Sequence, residues 1–169
     1  MDAAFDRAHP AVTAALSTVG PGEVRAVRGV VIRGAAAVVL LADDSTRRAV
    51  ILTLASGVWT LPTMLGGGST WNPGDRPAHT RAPWALVQPA TSQSGPPRPN
   101  GAPPAAAWMA LSGVAAADAL SVVLRSTLDQ HEVQVPPDGV VLALLRAPWG
   151  AKPEITVRTR DADIRHVAP

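Results

Sequence analysis

The sequence predicts a mainly β protein: an antiparallel β-sandwich built from two meanders, with one N-terminal α-helix and a long Pro/Gly-rich central loop. Three observations carry this expectation. Period-two alternation recurs in short segments, as in Ala119 to Arg125, His131 to Val135 and Glu154 to Arg160. Turn-forming residues separate those segments at short intervals, the clearest being Pro136-Pro137-Asp138-Gly139, where proline fixes φ and glycine accepts positive φ. Two runs, Ala36 to Ala42 and Val140 to Leu145, are apolar on both faces. A strand of that kind must be covered on both sides.

The elements follow in order. Residues 2–20 read as the helix, with Phe5, Ala8, Val12, Ala15, Leu16 and Val19 near one stripe and Gly20-Pro21 as the stop. Pro10 either kinks it or opens it as the first helical residue. Residues 23–61 form the first meander. Glu23 to Arg33 is extended with a bulge expected near Gly29, and Ala36 to Ala42 is the apolar strand. Asp43 to Thr46 turns, Arg47 to Ala55 returns, and Ser56-Gly57 leads into Val58 to Leu61. Residues 62–107 form the central loop, with ten of the seventeen prolines and the Gly66-Gly67-Gly68 triplet. Trp84 to Gln88 could form a short strand there, and Gln88 to Ala107 reads as a solvated, polyproline-like segment. Residues 108–160 form the second meander, beginning at Trp108 to Ser112, and residues 161–169 a tail.

A chain of 169 residues suits a single domain able to bury a core without metal or disulfides, and 47% hydrophobic residues exclude overall disorder. Net charge is +2 although the pI is about 10.4. The two differ because the chain has no Cys or Tyr and Lys152 is its one lysine, so little titrates between neutrality and arginine. The small charge argues against a nucleic-acid partner. The absence of cysteine excludes disulfides, zinc–thiolate sites and thiol catalysis. No apolar run is long enough to span a bilayer and the N-terminus lacks the pattern of a signal peptide, so a cytoplasmic location and no membrane partner are expected.

No catalytic motif emerges, and the chain is expected not to be an enzyme. Gly66-Gly67-Gly68-Ser69-Thr70 lacks the lysine and following helix of a phosphate loop. His131-Glu132 has no second histidine at helical spacing. Asp161, Asp163 and His166, with His131, could assemble a metal or enzyme site, yet a strand-ending polar turn is far commoner. No metal or cofactor is expected. Arg158, Arg160 and Arg165 could share a basic face with Arg125 or Arg146. Five tryptophans accompany one phenylalanine and no tyrosine. Trp59 and Trp108 fall in strands, whereas Trp71, Trp84 and Trp149 fall in or beside loops, where they could stack on a sugar or anchor a partner. The leading expectation is a non-enzymatic protein–protein interaction module, or an accessory subunit of a larger assembly. Its contacts, to a protein partner or in self-association, would come from Phe5, Val12 and Leu16 on the helix and from the loop tryptophans. The alternative is a small-ligand or carbohydrate-binding sandwich that uses Trp71, Trp84 or Trp149.

Overall fold

The computed structural model describes residues 8–20, 23, 25–61, 69–70, 72, 74, 76–82, 84–96 and 98–166. The elements are α1 (Pro10–Leu16), β1 (Ala26–Arg33), β2 (Ala36–Ala42), β3 (Thr46–Ala55), β4 (Val58–Thr60), β5 (Ser69–Thr70), β6 (Leu86–Ser94), β7 (Ala106–Ala115), β8 (Ser121–Arg125), β9 (Gln130–Gln134), β10 (Val140–Pro148), β11 (Glu154–Arg158) and β12 (Asp163–His166). They form three antiparallel sheets. The first runs β1-β2-β3-β4 with β5 also on β3, the second β10-β7-β6, and the third β12-β11-β8-β9.

Side-chain parity stacks these sheets. Along β2, Ala36, Val38, Leu40 and Ala42 pack with Ala110, Val114, Leu142 and Leu144 of the second sheet. The intervening Ala37, Val39 and Leu41 pack beneath α1. The second sheet is covered on both faces in the same way. Its Met109, Leu111, Val141, Ala143 and Leu145 meet Val122, Leu124, Ile155 and Val157 of the third. The order is therefore helix, first sheet, second sheet, third sheet. The doubly apolar runs occupy the doubly covered positions because an apolar residue facing water on either side would forfeit its transfer free energy.

α1 begins at Pro10, with His9 as its N-cap accepting a hydrogen bond from the Ala11 amide at Nδ1 (3.2 Å). Proline at the first helical position has no amide to leave unpaired. The expected bulge in β1 is present, as a register shift between Val27 and Gly29.

Three expectations are corrected. The solvated loop across 88–107 is instead strand through Ser94, paired with β7 from Leu86 to Ser94. It is an edge strand held by its backbone, so its polar side chains do not alternate with a core. Pro89 sits in its bulge between Val87 and Ala90, where no ladder amide is required. The second half is not a meander, because β8 pairs with β9 and β11 whereas β10 pairs with β7. Strands β8, β9 and β11 carry a charged outer face, whereas residues 140–145 of β10 carry no charge and lie in the buried middle layer. The tail expected from 161 contains β12, paired with β11.

Polar side chains clasp the layers where edges meet. Asp129, just before β9, accepts hydrogen bonds from Arg33 of β1 (Nη1 2.8 Å) and from the Arg146 amide of β10 (3.0 Å). Arg33 also donates to the Leu144 carbonyl (2.9 Å). On β3, Arg47 is only 2% exposed; its Nε donates to Ser69 Oγ (3.0 Å) and its Nη2 to the Gln88 carbonyl. Gln88 adopts φ +49° in the β6 bulge. Burial lowers the Arg47 guanidinium to about 10, still cationic at neutral pH.

Candidate ligand-binding cleft

A cleft of about 550 Å³ lies on the side where β6 of the second sheet faces β11 and β12 of the third. β6 contributes Pro89 and Thr91, the turn into β11 contributes Lys152 and Pro153, and β11 and β12 contribute Glu154, Ile155, Arg165 and His166. Its size is within the range of small-molecule sites, and its mix of apolar walls with a few polar groups suits one.

His166 is the unusual wall residue. On β12, Ile164 and His166 point inward and Asp163 and Arg165 outward, because side chains alternate. His166 is 7% exposed and directly opposite Ile155. Its Nδ1 accepts a hydrogen bond from the Leu86 amide (3.2 Å), joining the end of β12 to the start of β6. With Nδ1 accepting, the neutral ring carries its proton on Nε2. Nε2 is buried and makes no hydrogen bond. Such a donor costs about 1–3 kcal/mol relative to a satisfied one. Burial also lowers the pKa of the ring, so it is neutral at pH 7. The Trp84 indole stands edge-on to the imidazole, with centroids 6.0 Å apart, and is 47% exposed.

The mouth is positively charged. A neighbouring hollow of about 470 Å³ shares Lys152, Pro153, Glu154 and Arg165 with the cleft and adds Arg125, Ser126 and Thr127. Three cations thus surround one carboxylate. Arg165 lies 3.5 Å from Glu154, and Arg125 donates to the Gln130 amide oxygen (2.9 Å). Among the described residues neither Arg125 nor Lys152 forms an ion pair.

The outer face of the third sheet behaves differently. Arg125, Arg158 and Arg165 do share it, as the sequence suggested, but Glu132, Glu154 and Asp163 are interleaved. Arg158 donates to both Glu132 oxygens (3.0 and 2.9 Å) and lies 3.5 Å from Asp163. Ser121 donates to the same glutamate (2.6 Å). Ser121 and then Arg158 hold the Glu132 carboxyl below its usual range. Arg146 is elsewhere, over the Trp108 ring at 5.4 Å.

The other sequence candidates are dispersed. Phe5 and Trp71 lie outside the described residues. Val12 is 1% exposed and packs between α1 and the first sheet, where Ala11 and Ala15 bring the short helix close. Leu16 reaches the surface and lines a shallow groove with Arg25 and Val27. Trp149 is half-buried in the turn after β10, where the Gly150 amide donates to Gln93 near the end of β6 (2.7 Å). Trp84 precedes the start of β6, so the two tryptophans stand at opposite ends of that strand, roughly 25 Å apart at 3.3 Å per residue. They form no common sugar platform. Asp163 and His166 face opposite sides of β12. His131 accepts from the Leu144 amide (3.1 Å) at the junction with β10. Among the described residues no group of three or more potential metal-ligating side chains converges. The cleft itself was missed because β6 was expected only as far as Gln88 and β12 was read as a tail; the inward parity of His166 after Ile164 was the available signal.

No family model, no curated protein and no solved structure matches this chain. No helix among the described residues is long and apolar enough to cross a membrane.

Proposed function

We infer that the protein is a non-enzymatic binding module whose ligand is a small molecule held in the cleft between β6 and β11–β12. The observation that carries this reading is the cleft's construction: about 550 Å³, walled by Pro89, Pro153 and Ile155, with a few polar groups from separate strands. Rigid strands set its walls, which keeps the ordering cost of binding low. Thr91 pairs with Leu111 and so faces the cleft, and Thr91→Trp fills it from an exposed edge position. Saturable binding of small molecules, followed by calorimetry, is expected in the parent protein and is abolished by Thr91→Trp. Binding that survives this substitution contradicts the reading.

A second reading, a protein-interaction module, is supported by a different observation. Ile32, Leu54 and Leu61 lie on the helix-bearing face of the first sheet and are 38–45% exposed. They extend an apolar face beyond α1, and contiguous apolar surface favours protein partners. Ile32→Asp with Leu54→Glu is expected to abolish self-association or capture of a stoichiometric partner. A monomer that captures nothing before substitution removes this reading.

A further inference from the structure

We propose that the cleft's ligand is a small monocarboxylate with an apolar body, its carboxylate accepting a hydrogen bond from His166 Nε2–H beside Lys152. This rests on the small-ligand reading above and specifies its chemistry. His166 supplies one donor and no acceptor, since Nδ1 is engaged by the Leu86 amide. The missing partner is therefore an acceptor, and a charged acceptor makes the stronger hydrogen bond. The charges at the mouth select the anion. Among the described residues Lys152 forms no ion pair, Arg165 is shared with Glu154, and Arg125 extends the positive approach. That ammonium and one neutral donor at the cleft suit a single negative charge, and Glu154 disfavours a second. Pro89, Pro153 and Ile155 offer only apolar contact, so the remainder of the ligand is aliphatic or aromatic.

Nε2 is covered in this structure, so binding includes a movement of Trp84 while the imidazole keeps its Nδ1 bond to the Leu86 amide. The half-exposed Trp84 ring, edge-on to His166, then reports occupancy through its fluorescence.

The test titrates the full chain with hexanoate and benzoate, and in parallel with hexanamide and benzamide. Calorimetry and tryptophan fluorescence supply the readouts. The acids are expected to bind at least tenfold more tightly than the matched amides. Lys152→Glu, at an exposed position, should remove that preference. His166→Phe, with its fold verified by circular dichroism, should weaken acid binding about tenfold. Amides that bind as tightly as acids overturn the carboxylate assignment and leave the small-ligand reading standing. Acid binding unchanged in both variants overturns it as well, by placing the ligand elsewhere. If neither acids nor amides bind, and a wider neutral panel also fails, the small-ligand reading falls with it.

Discussion

Asp129→Ala should destabilise the protein more than its position before a short strand suggests, because its carboxylate joins all three sheets. Oδ2 accepts from Arg33 Nη1 (2.8 Å) and the Arg146 amide (3.0 Å), and Oδ1 accepts from the Gln130 amide (2.7 Å). The Asp129 and Arg33 side chains are 23% and 29% exposed, between a surface pair and a buried one. An exposed pair contributes about 0.2–1 kcal/mol, and breaking a buried one costs about 3–5 kcal/mol. The intermediate burial argues for about 1–2 kcal/mol from Arg33. The part-buried Arg146 amide, left without its acceptor, adds about 1 kcal/mol, and the exposed Gln130 amide finds water. The expected loss is about 2–3 kcal/mol, or roughly 4–12 °C in Tm for a chain of this size. Urea unfolding followed by circular dichroism measures it, and a double-mutant cycle with Arg33→Ala should return a coupling near 1–2 kcal/mol. Burial opposes ionisation of Asp129, but the hydrogen bonds from Arg146, Arg33 and Gln130 outweigh it, and the pKa lies below the ordinary carboxylate value. The unfolded chain therefore binds the proton first. The contribution is complete above about pH 4 and is lost as pH falls through the lower folded pKa. Asp129→Asn should flatten that acid limb. A loss under about 0.5 kcal/mol with no coupling to Arg33 would refute the claim that this carboxylate fastens the layers.

Leu144 and Leu145 are both fully buried but serve different interfaces, so Leu144→Ala and Leu145→Ala should each cost about 3 kcal/mol in urea unfolding; a loss at only one site would contradict the doubly covered position of β10. Gly139 has φ +76°, and a Cβ there would stand 2.9 Å from the Ala115 carbonyl oxygen and 2.6 Å from Arg76 Nε. Gly139→Ala should cost about 2 kcal/mol or more, and Gly34→Ala, with φ +58° but open space, only about 1 kcal/mol; equal losses would show that the contact with Arg76 and Ala115 is unimportant. Burial lowers the His166 pKa, so the unfolded chain protonates first as pH falls below about 6.5. Tm should therefore drop between pH 7.5 and 5.5, less so in His166→Phe; His131, lowered mainly by burial, retains the rest of the slope. An unchanged slope would show that His166 is not buried as a neutral ring.

The strands with strong side-chain patterns were legible. Ala36 to Ala42 and Val140 to Leu145 are apolar on both faces, and both prove to be doubly covered. Ile155 and Val157 alternate with Thr156 and Arg158, and the inward pair is the buried one. β6 was illegible beyond its first residues because Gln-Pro-Ala-Thr-Ser-Gln-Ser has no apolar period. Its stability comes from backbone pairing with β7, which depends on the partner rather than on its own side chains. The regrouping of β8 to β11 was partly encoded. Charges at Arg125, Glu132, Arg158 and Arg165 mark one solvated face, and their absence from 140–145 marks a middle strand. Short turns made the chain resemble a meander even so, since a tight connection can join two sheets as readily as two strands of one.

The cleft was the least legible feature. Lys152, Glu154 and Arg165 read as surface charges, and His166 as part of a tail. Local sequence determines period, turn chemistry and which faces are apolar, because those depend on each residue's own solvation and backbone preferences. It therefore determined an antiparallel β protein and the identity of its most buried strands. Which strand pairs with which, and the meeting of β6 with β12 around an unpartnered histidine, depend on hydrogen bonds and packing between residues eighty positions apart. Only the tertiary structure decided those, because a backbone amide at Leu86 carries no mark in the sequence of the imidazole that it meets.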